Sequence, residues 1–138
     1  MKKDQVMKNY LFCLLLILPL GAVVGCGEKA KPTGTLQGTV SFNGENLTTG
    51  TVNLYCNAQG SGTMVRIEPD GTYKTSPVPV GTYTIGIEKI SLAPSEEPPE
   101  HYDEFPDIPM LYQNMMDSPI TVEIAEGENT MEIEVPAQ

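Results

Sequence analysis

The chain has 138 residues, with 18 Asp or Glu against 8 Lys or Arg, a formal net charge of −10 and no tryptophan. Such acidity excludes electrostatic binding of nucleic acid and works against lying flat on anionic lipid, since both need basic surface. The length suits one domain with a core of its own.

The chain opens Met1-Lys2-Lys3, with Lys8 following, and then runs apolar from Leu11 to Val24. A basic start, a short apolar run and small residues after it form a secretion signal. The run is shorter than the about 20 residues a spanning helix needs, and Pro19 and Gly21 weaken it as a helix. Val23-Val24-Gly25-Cys26 fits a lipobox: aliphatic, small or aliphatic, Gly or Ala, then Cys. The transferase needs a thiol at the membrane surface to form a thioether to diacylglycerol, and the peptidase needs a small residue before that thiol. Val23 stands where Leu is usual. Residues 1–25 are thus expected to leave as a signal peptide, with Cys26 the lipidated first residue. Two or more palmitate-type acyl chains anchor stably where one does not.

The mature chain is more acidic: the net charge goes from −10 to −12 once Lys2, Lys3, Lys8 and Asp4 are removed. Of three cysteines, Cys13 leaves with the signal and Cys26 takes lipid. Cys56 remains, on the apolar side of a strand, and reads as a small buried residue. No Cys-x-x-Cys or Cys/His metal spacing occurs. The Asn46-Leu47-Thr48 sequon has no meaning in a bacterial host.

Residues 26–34 are polar with Gly and Pro and read as a lipidated tether. From residue 35 the apolar positions alternate with period two. Leu36, Val40 and Phe42 oppose Thr35, Gln37, Thr39 and Ser41, and Asn43-Gly44 makes a tight turn. Val52, Leu54 and Cys56 follow, then Val65 and Ile67. Pro69-Asp70-Gly71 turns into a short strand at Tyr73. Pro77 to Gly81 is expected to interrupt pairing, because proline lacks the ladder donor. Tyr83, Ile85 and Ile87 form the next strand. Ile120, Val122 and Ile124 form another; Glu126 to Asn129 turns; Met131, Ile133 and Val135 close the chain. These are seven half-buried strands, and they predict an all-β, seven-stranded antiparallel β-sandwich. The expected interior is Val40, Phe42, Val52, Leu54, Val65, Ile67, Tyr83, Ile85, Val122 and Ile133. Both outward faces, of Thr, Ser and Glu, are expected to meet solvent.

Ser91 to Ser118 is too long for an ordinary connection. Its first half is expected to be a mobile acidic loop, Pro94 to Asp107. Ile108, Leu111, Tyr112, Met115 and Met116 then space as one face of a short helical turn docked on the sandwich, with Asp107 as N-cap.

Little in the sequence suggests chemistry. The one histidine, His101, lies inside the acidic loop, where the geometry of a catalytic triad is hard to hold. Gly60-Ser61-Gly62 lacks the strand-to-helix setting of a nucleophile elbow. No phosphate loop or zinc motif occurs. The protein is therefore read as not an enzyme, with no catalytic residues, no cofactor and no metal. The competing reading is a calcium site through Glu96, Glu97, Glu100, Asp103, Glu104 and Asp107, since calcium takes 6–8 oxygens from a folded loop. Pro94, Pro98 and Pro99 favour extension over wrapping.

Gly38-Thr39-Val40, Asn43-Gly44, Leu47, Gly50-Thr51-Val52, Asp70-Gly71-Thr72-Tyr73 and Val78-Pro79-Val80-Gly81-Thr82-Tyr83 form an ordered series. The series resembles the carboxypeptidase regulatory-like, transthyretin-like β-sandwich domain that small planctomycete-type lipoproteins carry after a lipobox. Ile108-Pro109 with Tyr112, Ile120-Thr121-Val122-Glu123 and Gly127-Glu128-Asn129-Thr130 resemble the closing part of those lipoproteins. The resemblance implies a prealbumin-like sandwich over residues 35–138 and a non-catalytic role. It carries over no catalytic or ligand residue, and the acidic loop departs from it. The expected function is that of a lipid-anchored cell-envelope lipoprotein, at the outer membrane where the host has one, whose sandwich binds an envelope protein or glycan or acts as a spacer.

Overall fold

The computed structural model describes residues 29–137, so the expected signal peptide, 1–25, and the expected lipidation residue, Cys26, lie outside the described residues. The polar stretch ends in strand β1, Thr33–Phe42, and one sheet is assembled on it. One edge of β1 pairs antiparallel with β6 (Val78–Pro79), β5 (Thr72–Lys74) and β2 (Glu45–Asn46). Its other edge pairs parallel with β9 (Gly127–Thr130) and β10 (Ile133–Val135). The breaks between these short partners are bridged by single bonds. The Thr75 backbone N–H donates to the Leu36 carbonyl at 2.8 Å while the Thr75 hydroxyl accepts from the Leu36 N–H at 2.9 Å. On the opposite edge the Met131 N–H donates to the Gln37 carbonyl at 2.9 Å.

The second sheet is antiparallel throughout, in the order β4 (Ser61–Arg66), β3 (Thr51–Cys56), β7 (Gly81–Glu88), β8 (Thr121–Ile124). Central β3 is apolar on its inward side, where Val52, Leu54 and Cys56 are fully buried beside Ile85 and Ile87 of β7. Leu36 and Val40 of β1 meet them across the core, together with Ile133 and Val135 of β10. Two tyrosines bring polar tips into this core and satisfy them. The Tyr73 hydroxyl donates to the Met131 carbonyl at 2.8 Å, and that of Tyr83 to the Pro79 carbonyl at 2.7 Å. Burial, and then the charge of Glu132, push the Tyr73 phenol well above its ordinary pKa.

The all-β sandwich is present, and each of the seven expected strands has a counterpart. Three short strands add to them. β2 continues the turn at Asn43-Gly44. β6 occupies the stretch expected to interrupt pairing: Val78 carries the ladder at Gly34, and Val80 donates to the Pro32 carbonyl at 3.1 Å. β9 begins inside the expected turn, because Asn129 closes it from the side. Its amide oxygen accepts from the Ala125 N–H at 3.0 Å, and its amide nitrogen donates to the Ala125 carbonyl at 2.9 Å and the Thr35 carbonyl at 3.1 Å. The parallel pairing of β9 and β10 also departs from a wholly antiparallel scheme.

Three further expectations are corrected. Phe42, Val65 and Val122 are half-buried at the core margin, since each lies near the end or edge of its sheet. The outer face of the second sheet is not all solvated: Thr51 and Asn53 are 4% and 7% exposed. Residues 105–118 lie across part of that face, and Gly86 allows it. A Cβ on Gly86 would stand 2.7 Å from both the Gln113 carbonyl oxygen and the Met115 nitrogen. Finally, the helical turn is shorter than its apolar spacing suggests. Helix α1 is Met110–Gln113 with Pro109, not Asp107, at the N-cap. Asn114 ends it by turning its side chain onto the following backbone, accepting from the Met116 N–H at 3.0 Å. Ile108 is buried, whereas Leu111 and Met116 are left exposed.

Gly86→Ala should therefore destabilise the protein by about 1–3 kcal/mol, because backbone rather than a side-chain tip must move. Leu54→Ala, a core truncation at a fully buried site, should cost about 2–5 kcal/mol. Urea unfolding followed by circular dichroism measures both; a midpoint unchanged in Gly86→Ala would show that residues 113–115 do not rest on β7.

Candidate functional site

The expected lipidation residue, Cys26, precedes the described residues. The described chain enters the sandwich at a definite place. Pro32 lies beside Val80, and Lys31, Pro32, Ala58, Gln59, Pro79 and Val80 line an open hollow of about 620 Å³. Register extends this pole. Ser61 of β4 pairs with Cys56, and Ile124 of β8 pairs with Gly81. The start of β1, the loop 57–60, Pro79–Val80 and the β8–β9 turn thus share one end of the sandwich.

The acidic loop is at the other end. It leaves β7 after Glu88 and is secured to the β2–β3 connection by Phe105, whose ring lies so close to Gly50 that a Cβ there would come within 2.7 Å of it. Gly50 also has φ 121°, a conformation that disfavours any side chain. Glu104 ties the same segment down through polar contacts. One carboxylate oxygen accepts from the Thr48 hydroxyl at 3.1 Å, and the other lies 2.7 Å from His101 Nδ1. His101 holds left-handed backbone, φ 63°, at the start of the 3-10 turn Tyr102–Glu104.

The six carboxylates singled out for calcium go to different places. Glu96 accepts from the Ala93 N–H at 3.0 Å and lies 4.0 Å from Arg66. Asp103 lies 4.0 Å from Lys89, whose ammonium stacks 4.1 Å from the centre of the Tyr102 ring. Glu100 lies 3.7 Å from His101 Nε2, and Glu104 is engaged as above. Glu97 and Asp107 are exposed. Among the described residues, no group of three or more His, Cys, Asp or Glu side chains converges as metal ligands would. The His101–Glu104–Thr48 arrangement is not a nucleophile with its base, since the hydroxyl donates to the carboxylate rather than to the imidazole.

Electrostatics couples this segment to pH. The hydrogen bond with Glu104 is the main cause that raises the His101 pKa above 6.5, with the charges of Glu104 and Glu100 adding to it against desolvation. Glu104 is lowered, chiefly by His101 and next by Thr48. A raised imidazole stabilises the fold fully below its unfolded value, and that contribution is lost as pH rises through the folded value. A lowered carboxylate contributes above its unfolded value, and loses that as pH falls through the folded one. The pair is therefore strongest between the two ordinary values, about pH 4.5 to 6.5.

Sequence reasoning missed a second surface. Asn53, Tyr55, Gly62, Thr63, Met64 and Met115 line a shallow hollow of about 430 Å³ on the outer face of β3 and β4. Met64 is 68% exposed. The Asn53 amide nitrogen donates to Glu88 at 2.5 Å, while its buried carbonyl oxygen has no partner among the described residues. The available signal was a large apolar residue, Met64, on the polar side of its strand.

Two measurements test these assignments. In Glu104→Gln the His101 titration, followed by NMR, should move back toward about 6.5; an unchanged value would mean the contact is not made. Millimolar calcium should leave the melting temperature of the wild-type protein unchanged. A bound site at a hundredfold saturation would instead add about 2.7 kcal/mol, a shift of several degrees.

No protein-family model matches the chain, and no curated protein does. Among solved structures, the fold is similar to a DUF3823 family protein from Parabacteroides merdae, at TM-score 0.46 and 18% identity over 76% of this chain. It is similar also to the Bacillus anthracis TIE protein (TM-score 0.46, 13% identity, 76% of this chain) and to a DUF3823 family protein from Bacteroides ovatus (TM-score 0.42, 22% identity, 75% of this chain). The matches cover 46%, 16% and 44% of those longer chains respectively.

Proposed function

We propose that this protein is a cell-envelope lipoprotein, anchored through acyl chains on Cys26, whose sandwich is a non-catalytic spacer or binding module for an envelope protein or glycan. The observation that carries the reading is the lipobox Val23-Val24-Gly25-Cys26 directly behind a basic, short apolar segment. Only residues 27–32 separate that cysteine from the first strand, so the domain follows its anchor at once. At about 3.5 Å per residue the span from Cys26 to Thr33 is at most about 25 Å.

The non-catalytic role is supported by how the ionisable groups are used. His101 and Glu104 hold the loop to the sandwich, and Cys56 is sealed in the core. The domain is further proposed to be of the carboxypeptidase regulatory-like kind. The motif series that suggests it falls at structural junctions. Asp70-Gly71-Thr72-Tyr73 is the turn into β5, where Asp70 accepts from the Thr72 N–H at 2.9 Å, and Val78-Pro79-Val80-Gly81 carries the chain from one sheet to the other. With Gly27 after the cysteine, the outer membrane is the proposed destination where the host has one.

Cys26→Ala should leave the precursor uncut and move the protein from the detergent to the aqueous phase on partitioning. Mass spectrometry of the wild-type N-terminal peptide should show a thioether-linked diacylglycerol. An aqueous, lipid-free wild-type protein would sink the reading.

A further inference from the structure

We propose that two copies of this chain associate through β4: the two strands pair antiparallel across a two-fold axis at Thr63 and join the second sheets of both copies into one. The proposal is independent of the anchor at Cys26. Its first support is the composition of the sheet edges. Among the described residues, β2, β4, β5, β6, β8, β9 and β10 each have a single partner strand. All but β4 carry a charge or a proline inside the strand, which discourages further pairing: Glu45 in β2, Lys74 in β5, Pro79 in β6, Glu123 in β8, Glu128 in β9 and Glu134 in β10. Residues 57–65 hold no charge, in a chain of net −10, and Arg66 is only the last residue of β4. The strand is uncovered, with Ser61, Gly62, Met64 and Arg66 exposed. Its backbone is also ready to pair. The Ile67 N–H donates to the Gly50 carbonyl at 3.0 Å, and bonded pairs alternate along an antiparallel ladder. The N–H and C=O groups of Gly62, Met64 and Arg66 therefore point away from β3.

The edge is complementary to itself. Met64 is 68% exposed. Two residues away, Gly62 leaves a notch walled by the Tyr55 ring, since a Cβ there would lie 3.4 Å from Tyr55 Cδ2. The strand cannot fill this notch itself, because the same Cβ would stand 2.8 Å from the Leu54 carbonyl oxygen. Antiparallel pairing about Thr63 sets Gly62 of each copy opposite Met64 of the other, on the outer face, with both backbones aimed across the seam. Each thioether then fills the notch of the second copy and meets an aromatic ring, a contact that sulfur favours. Charge fits this occupant in this orientation. Glu96 lies 4.0 Å from Arg66, so the acidic loop stands at that end of β4. In the pair, Arg66 comes beside Gly60 of the second copy, in the uncharged turn 57–60. The Arg66 ends of the two copies are then about 20 Å apart along the seam, at ~3.3 Å per residue. Screening at physiological salt acts over about 8 Å, so the acidic loops do not oppose the pairing. A parallel pair would bring them side by side.

Full-length protein in density-matched detergent should sediment as a dimer that dissociates on dilution. Met64→Lys, which places a charge in the seam, should sediment as a monomer while keeping the wild-type melting curve. Thr63→Cys tests the register. Opposed residues of a non-hydrogen-bonded antiparallel pair have Cα atoms about 4.5 Å apart, within disulfide range. Mild copper–phenanthroline oxidation should therefore link Thr63→Cys to a second copy of itself. Wild-type protein oxidised alongside is the control, since Cys56 is buried. Ser61→Cys mixed with Val65→Cys should also link, and neither should link alone. A wild-type monomer at all concentrations overturns the proposal and leaves the β4 edge to a strand of another protein. A dimer unaffected by Met64→Lys, or Thr63→Cys that links no more than the wild type, overturns it by placing the contact elsewhere. Detergent-phase partitioning is read separately, so a monomer that still carries lipid would leave the proposed anchor standing.

Discussion

Both edges of β1 are occupied along its length, and each by different partners. Antiparallel β6, β5 and β2 arrive in pieces on one side, parallel β9 and β10 on the other, and the pieces are joined by Thr75 and Met131. Among the described residues, no other strand in this sheet pairs with two neighbours. Leu36 and Val40 can fill the core only because the backbone groups beside them are bonded on both sides, since an unpaired buried amide would cost about 1–3 kcal/mol. The parallel partners come from the last described residues of the chain. The first sheet is complete only after nearly all the sequence is available, which makes its closure a non-local and entropically costly step.

The second sheet depends on that first one for its inner face, and on residues 105–118 for its outer face. Three close approaches define the arrangement, and glycine supplies each. Gly50 admits the Phe105 ring, Gly86 the backbone at 113–115, and Gly38 the Met131 carbonyl between β9 and β10. The acidic loop is consequently held by an aromatic ring and a carboxylate. Its charge is neutralised locally by Arg66, Lys89 and His101 only in part.

Period-two alternation was legible wherever a strand buries one face, which covers β1, β3, β7, β8 and β10, because side-chain direction there follows directly from position in the pleat. The two-residue strands β2 and β6 are too short to show a period. β9 carries Gly-Glu-Asn-Thr, a turn composition; the Asn129 side chain converts the turn into a strand through bonds to Ala125 and Thr35 that no local pattern announces. The same limit explains Thr51 and Asn53. Both read as solvated because they lie on the polar side of β3, and they are buried by a segment more than fifty residues later, whose approach depends on Gly86. For the site, the proposed lipobox Val23-Val24-Gly25-Cys26 would be a purely local signal, carried by four adjacent residues. The pairing of Glu104 with Thr48 and His101 depends on where the loop lands, which composition does not encode.

The parallel register of β1 with β10 also has a mechanical meaning. The chain enters β1 at Thr33, and β10 finishes at Val135 beside Phe42, at the opposite end of the same pair. Tension applied between the chain's two ends would load the β1–β10 and β1–β9 hydrogen bonds in shear, so that they resist together instead of unzipping one after another. Survival under load is set by the unfolding rate rather than by equilibrium stability. A load along the chain is thus borne along the strand on which the first sheet is built.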